Sequence, residues 1–156
     1  MRRVTNSALL DKANNRILLL QKPRRNWWVA PGGKMEIGES VRESAIREYR
    51  EETGLTLIQP HLRGIFTFLM MDGNDITSEW MMFTFQAERW EGDLLEQSPE
   101  GKLRWQPIPH VFDLDMAEGD RHIFHHVLHE EGLLYGTFRY TADFQLLSSS
   151  FEREND

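Results

Sequence analysis

Apolar residues recur through residues 3–10, give way to the turn-forming run DKANN at 11–15, and resume over 16–21. That pattern predicts two strands joined as a hairpin. Residues 22–26 form a polar, basic loop, and Trp27 to Ala30 is a short apolar stretch that Pro31, Gly32 and Gly33 interrupt. A helix is predicted over 40–53. Two long strand-like stretches follow at 56–71 and 77–90, on either side of the turn DGND at 72–75. A loop at 97–101 precedes a short strand at 103–107, and 120–129 has helical character. From 135 to 151 aromatic and polar residues alternate, with Phe138, Tyr140 and Phe144 prominent, so one or two further strands are expected. Strands first, a helix between strands and then a second helix predict an α/β (α+β) protein in which a mixed β-sheet is sandwiched between helices. Without any linker, repeat or low-complexity run, residues 1–156 are expected to form a single domain with a C-terminal strand extension at about 133–151.

The helix over 40–53 carries the chemistry. Ser40 and Glu43 have capping-box spacing, which sets its start, and Gly54 is placed to stop it. At ~100° per residue, Val41, Ala45, Ile46 and Tyr49 share the side expected to pack on the sheet. Glu48, Glu51 and Glu52 fall in an arc beside that face, and Arg42, Glu43, Arg47 and Arg50 take the remainder. Three carboxylates near a helix C-terminus oppose the dipole, which prefers cations there. A hard divalent ion held by their oxygens would reverse that penalty.

Composition narrows the field. At 40% hydrophobic and 28% charged residues, the 156-residue chain fits a globular domain with a real core. It has no cysteine, which excludes disulfides and thiolate metal sites and permits a reducing cytosol, so a cytoplasmic location is expected. Asp11, Lys12, Asn14, Asn15 and Arg16 interrupt any signal-peptide core. No stretch approaches the ~18 apolar residues of a membrane span, so no membrane partner is expected. A net charge of −7 argues against a grip on long nucleic acid, and a small anionic substrate would need metal ions to offset repulsion.

Residues 33–55 read GKMEIGESVRESAIREYREETGL and place Gly33, Glu39, Arg47, Glu48, Glu51, Glu52 and Gly54 at fixed offsets. The run resembles the Nudix box, G-x5-E-x7-R-E-U-x-E-E-x-G-U with U a bulky apolar residue. Tyr49 stands where that family usually has an aliphatic residue, which bears on packing rather than metal binding. The resemblance implies the Nudix fold and Mg²⁺-dependent (or Mn²⁺-dependent) hydrolysis of a nucleotide pyrophosphate bond. Of the family's branches the chain looks most like the MutT kind, which implies a small-molecule nucleotide substrate. That would be an oxidised purine nucleotide such as 8-oxo-dGTP, cut to a monophosphate and pyrophosphate. The alternative is the same chemistry on a guanosine alarmone such as (p)ppGpp, on ADP-ribose or on another nucleoside diphosphate derivative. A nucleotide-binding sensor without turnover is a third reading, against which the three intact glutamates speak.

The resemblance also assigns roles. Glu48, Glu51, Glu52 and the Gly33 carbonyl would hold the metal, while Glu39 and Arg47 would brace the loop against the helix. Glu100 in SPEGKLRW is similar to an acid that MutT-type enzymes bring from a loop beyond the sheet, as ligand or base. Glu96 is its rival, a solvated loop role is equally open, and the general base is Glu48, Glu52 or Glu100. Lys34 would lie near the phosphates or be a surface lysine. Trp27 and Trp28 could stack on a purine, with one of the pair expected in the core. Asp120 in AEGDRHIF resembles the acid that reads the guanine edge in mammalian-type oxidised-purine hydrolases. Those enzymes have an asparagine where Val29 stands here, and Asp120 suits a helix N-terminus equally well. His122, His125, His126 and His129 have helical spacing without a third ligand type, and read as a helix partly in the core. The C-terminal strands are expected to close the substrate pocket or to form a homodimer interface.

Overall fold

The structure, a computed structural model, describes residues 1–154. Strands Arg2–Asp11 (β1) and Arg16–Gln21 (β2) form the expected hairpin around a 3-10 turn at Lys12–Asn14. Asn15 closes the turn with a φ of 51°, and the Asp11 carboxylate braces it by accepting hydrogen bonds from Asn14 (2.9 Å) and Arg16 (2.8 Å). The chain continues through Trp28–Val29 (β3), Gly32–Lys34 (β4), helix Val41–Thr53 (α1), Thr56–Ile58 (β5), His61–Asp72 (β6) and Asp75–Ala87 (β7). Arg89–Glu91 (β8), Lys102–Pro107 (β9), helix Glu118–His129 (α2), Leu134–Thr141 (β10) and Leu146–Arg153 (β11) complete it.

Among the described residues the main sheet has nine strands, in the order β11-β10-β6-β7-β1-β2-β3, with β4 paired to β1 and β9 to β2. The β1–β7 and β10–β6 pairs are parallel and β6–β7 is antiparallel, so the sheet is mixed as expected. Two stretches expected as single strands are divided. Residues 56–71 break at Gln59 and Pro60, where Gln59 has a φ of 49° and Pro60 has no N–H for a ladder. Residues 77–90 break at Glu88, and the two short pieces β5 and β8 pair with each other instead of joining the large sheet. The glycine turn gains a strand that the sequence did not predict, because β4 pairs with β1 and sets Gly33 opposite Thr5.

Alternation along β1 sends Ala8 and Leu10 to one face and Leu9 to the other. On the first face Ile123, Phe124 and Val127 of α2 pack with Ala8, Phe66, Phe68 and Phe138. On the second, Tyr49 of α1 packs with Leu9, Leu18, Leu55 and Leu57. Each such side chain contributes about 1.5–3 kcal/mol when fully buried. The α1 face differs from the helical-wheel expectation. Ala45 and Tyr49 are buried, but Val41 and Ile46 are only half-buried, and Ser44, Glu52 and Thr53 are buried in their place. The helix is rolled toward the glycine turn, which carries Glu52 inward. The end of α2 is closed from the sheet, where Arg63 of β6 donates to the Glu130 (2.5 Å) and Gly132 (3.0 Å) carbonyls. Among the described residues no helix is long and apolar enough to cross a membrane.

Candidate active site

Local rules fix α1 before any tertiary contact is counted. The Ser40 hydroxyl accepts from the Glu43 N–H and the Glu43 carboxylate accepts from the Ser40 N–H, both at 3.1 Å. At the other end Gly54 adopts a φ of 84° and returns its N–H to the Arg50 carbonyl at 2.8 Å. Between these caps, Arg47 gathers the carboxylates. Its Nε and Nη2 donate to the two oxygens of Glu39 at 2.5 and 2.9 Å. Nη1 donates to Glu48 at 3.0 Å and Glu51 at 3.1 Å, and Nη2 also donates to the Lys34 carbonyl at 3.1 Å. Glu39 and Arg47 thus brace the glycine loop against the helix. The bidentate pairing holds the Glu39 carboxyl down at about 2 and the Arg47 guanidinium well above its usual range.

Glu48 lies directly against the glycine turn. A Cβ on Gly33 would meet Glu48 Oε2 at 2.2 Å, so only glycine lets backbone and carboxylate approach this closely. Glu52, one turn on, is 7% exposed and accepts from the Ser98 hydroxyl at 2.8 Å. Ser98 in turn accepts from the Glu100 N–H at 3.2 Å, which draws the Glu100 loop to this end of the helix. Burial pushes the Glu48 carboxyl up, against the pull of Arg47 and with like charge from Glu51 and Glu39. Burial also pushes Glu52 up, offset by the Ser98 hydrogen bond and raised further by the Glu100 and Glu48 charges. Crowded, partly desolvated carboxylates of this kind are relieved by a cation, and an oxygen-only donor set suits a hard divalent one. Glu48, Glu52 and the Gly33 backbone therefore fit the metal that the sequence implies. Glu51 is set apart, with its side chain 58% exposed on Arg47. Among the described residues no three acidic or histidine side chains converge closely enough to share an ion. Ligation by all three glutamates therefore requires Glu51 to leave Arg47.

Lys22, dismissed in the sequence as part of a basic loop, reaches the same place. Its Nζ lies 3.7 Å from Glu100, and its charge acts on Glu52. Lys22 and Gly33 open onto a cleft of about 180 Å³ whose other walls include Asn6, Val29, Met82 and Asp120. Asp120 projects from the first turn of α2, where its N–H donates to the Ala117 carbonyl at 3.0 Å. Burial pushes its carboxyl up to about 7. The Thr84 hydroxyl donates to Asn6 Oδ1 at 2.7 Å, so the Asn6 amide group keeps its own donors free. Asn6 sits in an otherwise ordinary strand; its one signal is a polar residue at an inward position. Larger hollows exist, one of about 620 Å³ along the outside of α1 and one of about 410 Å³ by Arg63 and Glu88, but neither adjoins Gly33, Glu48 or Glu52.

The remaining candidates are dispersed. Trp28 is 5% exposed in the core beneath the Arg104 guanidinium, so it is the core member of the tryptophan pair. Trp27 is half-buried with its ring edge-on to Phe144 at 6.0 Å, and neither indole lines the cleft. The Lys34 side chain is exposed at the end of β4, and Glu96 is exposed on its loop. His126 is buried between Glu130 (2.9 Å) and the Gly132 carbonyl (2.9 Å), while the exposed His125 and His129 rings lie tilted against each other at 5.2 Å, so the helix is partly core as its spacing suggests.

A model of the NUDIX domain family matches residues 1–127. The chain is 56% identical over 148 residues to the Nudix hydrolase YvcI of Bacillus subtilis, covering 95% of this chain and 92% of the relative. It is 28% identical over 107 residues to an 8-oxo-(d)GTP phosphatase of Mycolicibacterium smegmatis, covering 69% of this chain and 32% of that protein. Among solved structures, the MutT protein from Bacillus halodurans superposes with a TM-score of 0.94 at 56% identity, covering 99% of this chain and all (100%) of that one.

Proposed function

The chain belongs to the Nudix family and is a hydrolase of nucleotide pyrophosphate bonds; on that premise we propose that it is a MutT-like pyrophosphohydrolase acting on oxidised purine nucleoside triphosphates such as 8-oxo-dGTP. The observation that carries this reading is the cleft that runs from the Gly33–Glu48 contact to Asp120. One end suits a diphosphate and the other a base. Asp120, with its carboxyl near neutrality, can donate as well as accept a hydrogen bond at a purine edge. The likeness to an 8-oxo-(d)GTP phosphatase supports the same substrate class.

Nudix hydrolases work with divalent metal ions, and magnesium, with manganese as substitute, is the ion proposed here. Glu48, Glu52 and the Gly33 carbonyl would hold it, joined by Glu51 and Glu100 once their side chains turn inward. When bound it neutralises the diphosphate and acidifies water. The chain's own residues do the rest. Arg47 fixes Glu48 against the turn, and Lys22, with Lys34 on the rim, offers positive charge to the phosphates. Water attacks phosphorus in line, a new P–O bond forms, the anhydride P–O bond breaks, and nucleoside monophosphate and pyrophosphate leave. Glu52, raised by burial and steadied by Ser98, takes the proton of the attacking water.

A pocket that reads the Watson–Crick edge of guanine also serves a guanosine alarmone such as (p)ppGpp, which shares that edge with 8-oxo-dGTP and differs from it at C8 and N7, at the sugar 2′ position and in the phosphates. The test is a nucleotide panel with Mg²⁺ comprising 8-oxo-dGTP, dGTP, ppGpp and ADP-ribose. The expected result is a kcat/KM for 8-oxo-dGTP at least about tenfold above the others, with release of pyrophosphate. A lead of that size for ppGpp would transfer the assignment to the alarmone, and equal rates on all four would remove base recognition from the reading.

A further inference from the structure

The helix that carries Asp120 begins without a cap of its own. Its N-cap residue is Ala117, whose side chain makes no hydrogen bond to the first turn. The missing acceptor arrives from a distant strand, where the Tyr140 hydroxyl of β10 accepts from the Gly119 N–H at 2.7 Å. The fit is close, since a Cβ at Gly119 would meet the Tyr140 oxygen at 2.4 Å and a Phe138 ring carbon at 3.0 Å. Tyr140 itself is 1% exposed and is stacked on Phe68 of the central sheet at 6.2 Å. The phenol is therefore a fixed strut from the sheet to the residue preceding Asp120. Arg121 also ties this turn, but to the Phe112 and Leu114 carbonyls of the preceding segment rather than to the sheet.

The tip of the same C-terminal hairpin reaches the segment that leads from the Lys22 loop into β3. Phe144 packs against Tyr140 at 5.8 Å and against Trp27 at 6.0 Å, and the Arg25 guanidinium lies over both Phe144 and Trp27. Trp27 follows directly on the loop that holds Lys22. The hairpin thus joins the strand preceding the glycine turn to the start of α2, although it lies outside residues 1–127 that the family model matches.

We propose that Tyr140 is a positioning residue for base recognition: its hydroxyl sets the first turn of α2 and so aims Asp120 into the cleft. This rests on Asp120 reading the base, as proposed above. Tyr140→Phe keeps the ring and removes the oxygen. With the best nucleotide of the panel, KM is expected to rise about tenfold while kcat stays within about twofold, because the diphosphate end is untouched. The pH dependence of KM is expected to follow the Asp120 proton in the parent protein and to shift in Tyr140→Phe. The double variant Tyr140→Phe/Asp120→Asn should bind no more weakly than Asp120→Asn alone, since both changes act on one contact. Gly119→Ala, which pushes the phenol away without removing it, should raise KM in the same way. If Asp120→Asn raises KM and Tyr140→Phe does not, or if the two losses multiply in the double variant, the positioning role is overturned. If Asp120→Asn leaves KM unchanged for every nucleotide, the base-reading assignment fails first and the role of Tyr140 falls with it.

Discussion

Arg47 shows how one side chain can hold together an arrangement that electrostatics opposes. Glu39, Glu48 and Glu51 all surround it, and its guanidinium hydrogen-bonds to each. Glu52 lies outside its reach and depends on the Ser98 hydroxyl and the Lys22 charge, in a setting that burial and two neighbouring carboxylates make unfavourable for charge. That strain is what a cation would discharge, so Glu52 is expected to be the residue most tightly coupled to the proposed metal. Glu52→Gln keeps the shape and the Ser98 contact but loses the charge. We expect kcat at saturating Mg²⁺ to fall by more than about tenfold, with the fold retained. A smaller fall would remove Glu52 from the metal and proton-transfer roles. At this scale the box residues are legible in the sequence because they sit on one helix and one turn, where spacing translates directly into geometry. Lys22 and Asn6 are not, since their importance comes from strands that only pairing brings beside Gly33 and Asp120.

At the scale of elements, α1 and the glycine turn behave as one unit. The reciprocal Ser40–Glu43 bonds begin the helix at Val41, and Gly54 ends it one residue before the core residue Leu55. Removing the cap should loosen the start of the helix while leaving the carboxylates in place, because Glu48 is held by Arg47 and Glu52 by Ser98, neither of which contacts the cap. Ser40→Ala is expected to cost about 1 kcal/mol of stability in chemical denaturation. kcat should stay within about twofold of the parent value, since no site contact is lost. A large loss of kcat with unchanged stability would show that the cap acts on the site directly. The boundaries of α1 agree with its sequence signals for the same local reasons. The breaks at Gln59–Pro60 and Glu88 were not legible, because β5 and β8 are released from the main sheet by pairing with each other across more than thirty residues of chain.

For the whole molecule, the titrating groups divide into two sets that act in opposite directions. Glu39 is held near 2 by Arg47, and Asp11 and Glu130 are lowered by hydrogen bonds from Asn14 and His126 respectively. Their stabilisation is present above the ordinary carboxylate range and is lost as pH falls through it. Glu48, Glu52 and Asp120 are raised by burial, Asp120 to about 7 against 3.8 for the free residue. Between those two values the unfolded chain binds fewer protons at Asp120 than the folded one, so stability declines as pH rises toward 7. The metal-free protein is therefore expected to be most stable at about pH 4, where the gain from the lowered carboxylates ends and the Asp120 loss begins, with losses on both sides. If Glu48 and Glu52 hold Mg²⁺ as proposed, it should flatten the alkaline limb, because a cation binds their ionised forms. Thermal melts across pH, with and without Mg²⁺, check this, and a metal-free maximum near pH 8 would contradict it.

What the amino-acid order determined unaided is the short-range chemistry: the capped helix, the glycine turn before it, the acids between them, and hence the family. These features span a few residues each, and helical periodicity with capping rules is enough to build them. The tertiary structure decided everything that depends on distant segments meeting. It rolled α1 so that Glu52 is buried and Ile46 only half-buried, and it buried Trp28 while leaving Trp27 on the hairpin. It also gathered Lys22, Asn6 and Asp120 around one cleft and supplied Tyr140 as the cap that α2 lacks. Strand pairing and core packing act between residues far apart in the chain, and no local pattern records which partners they will select.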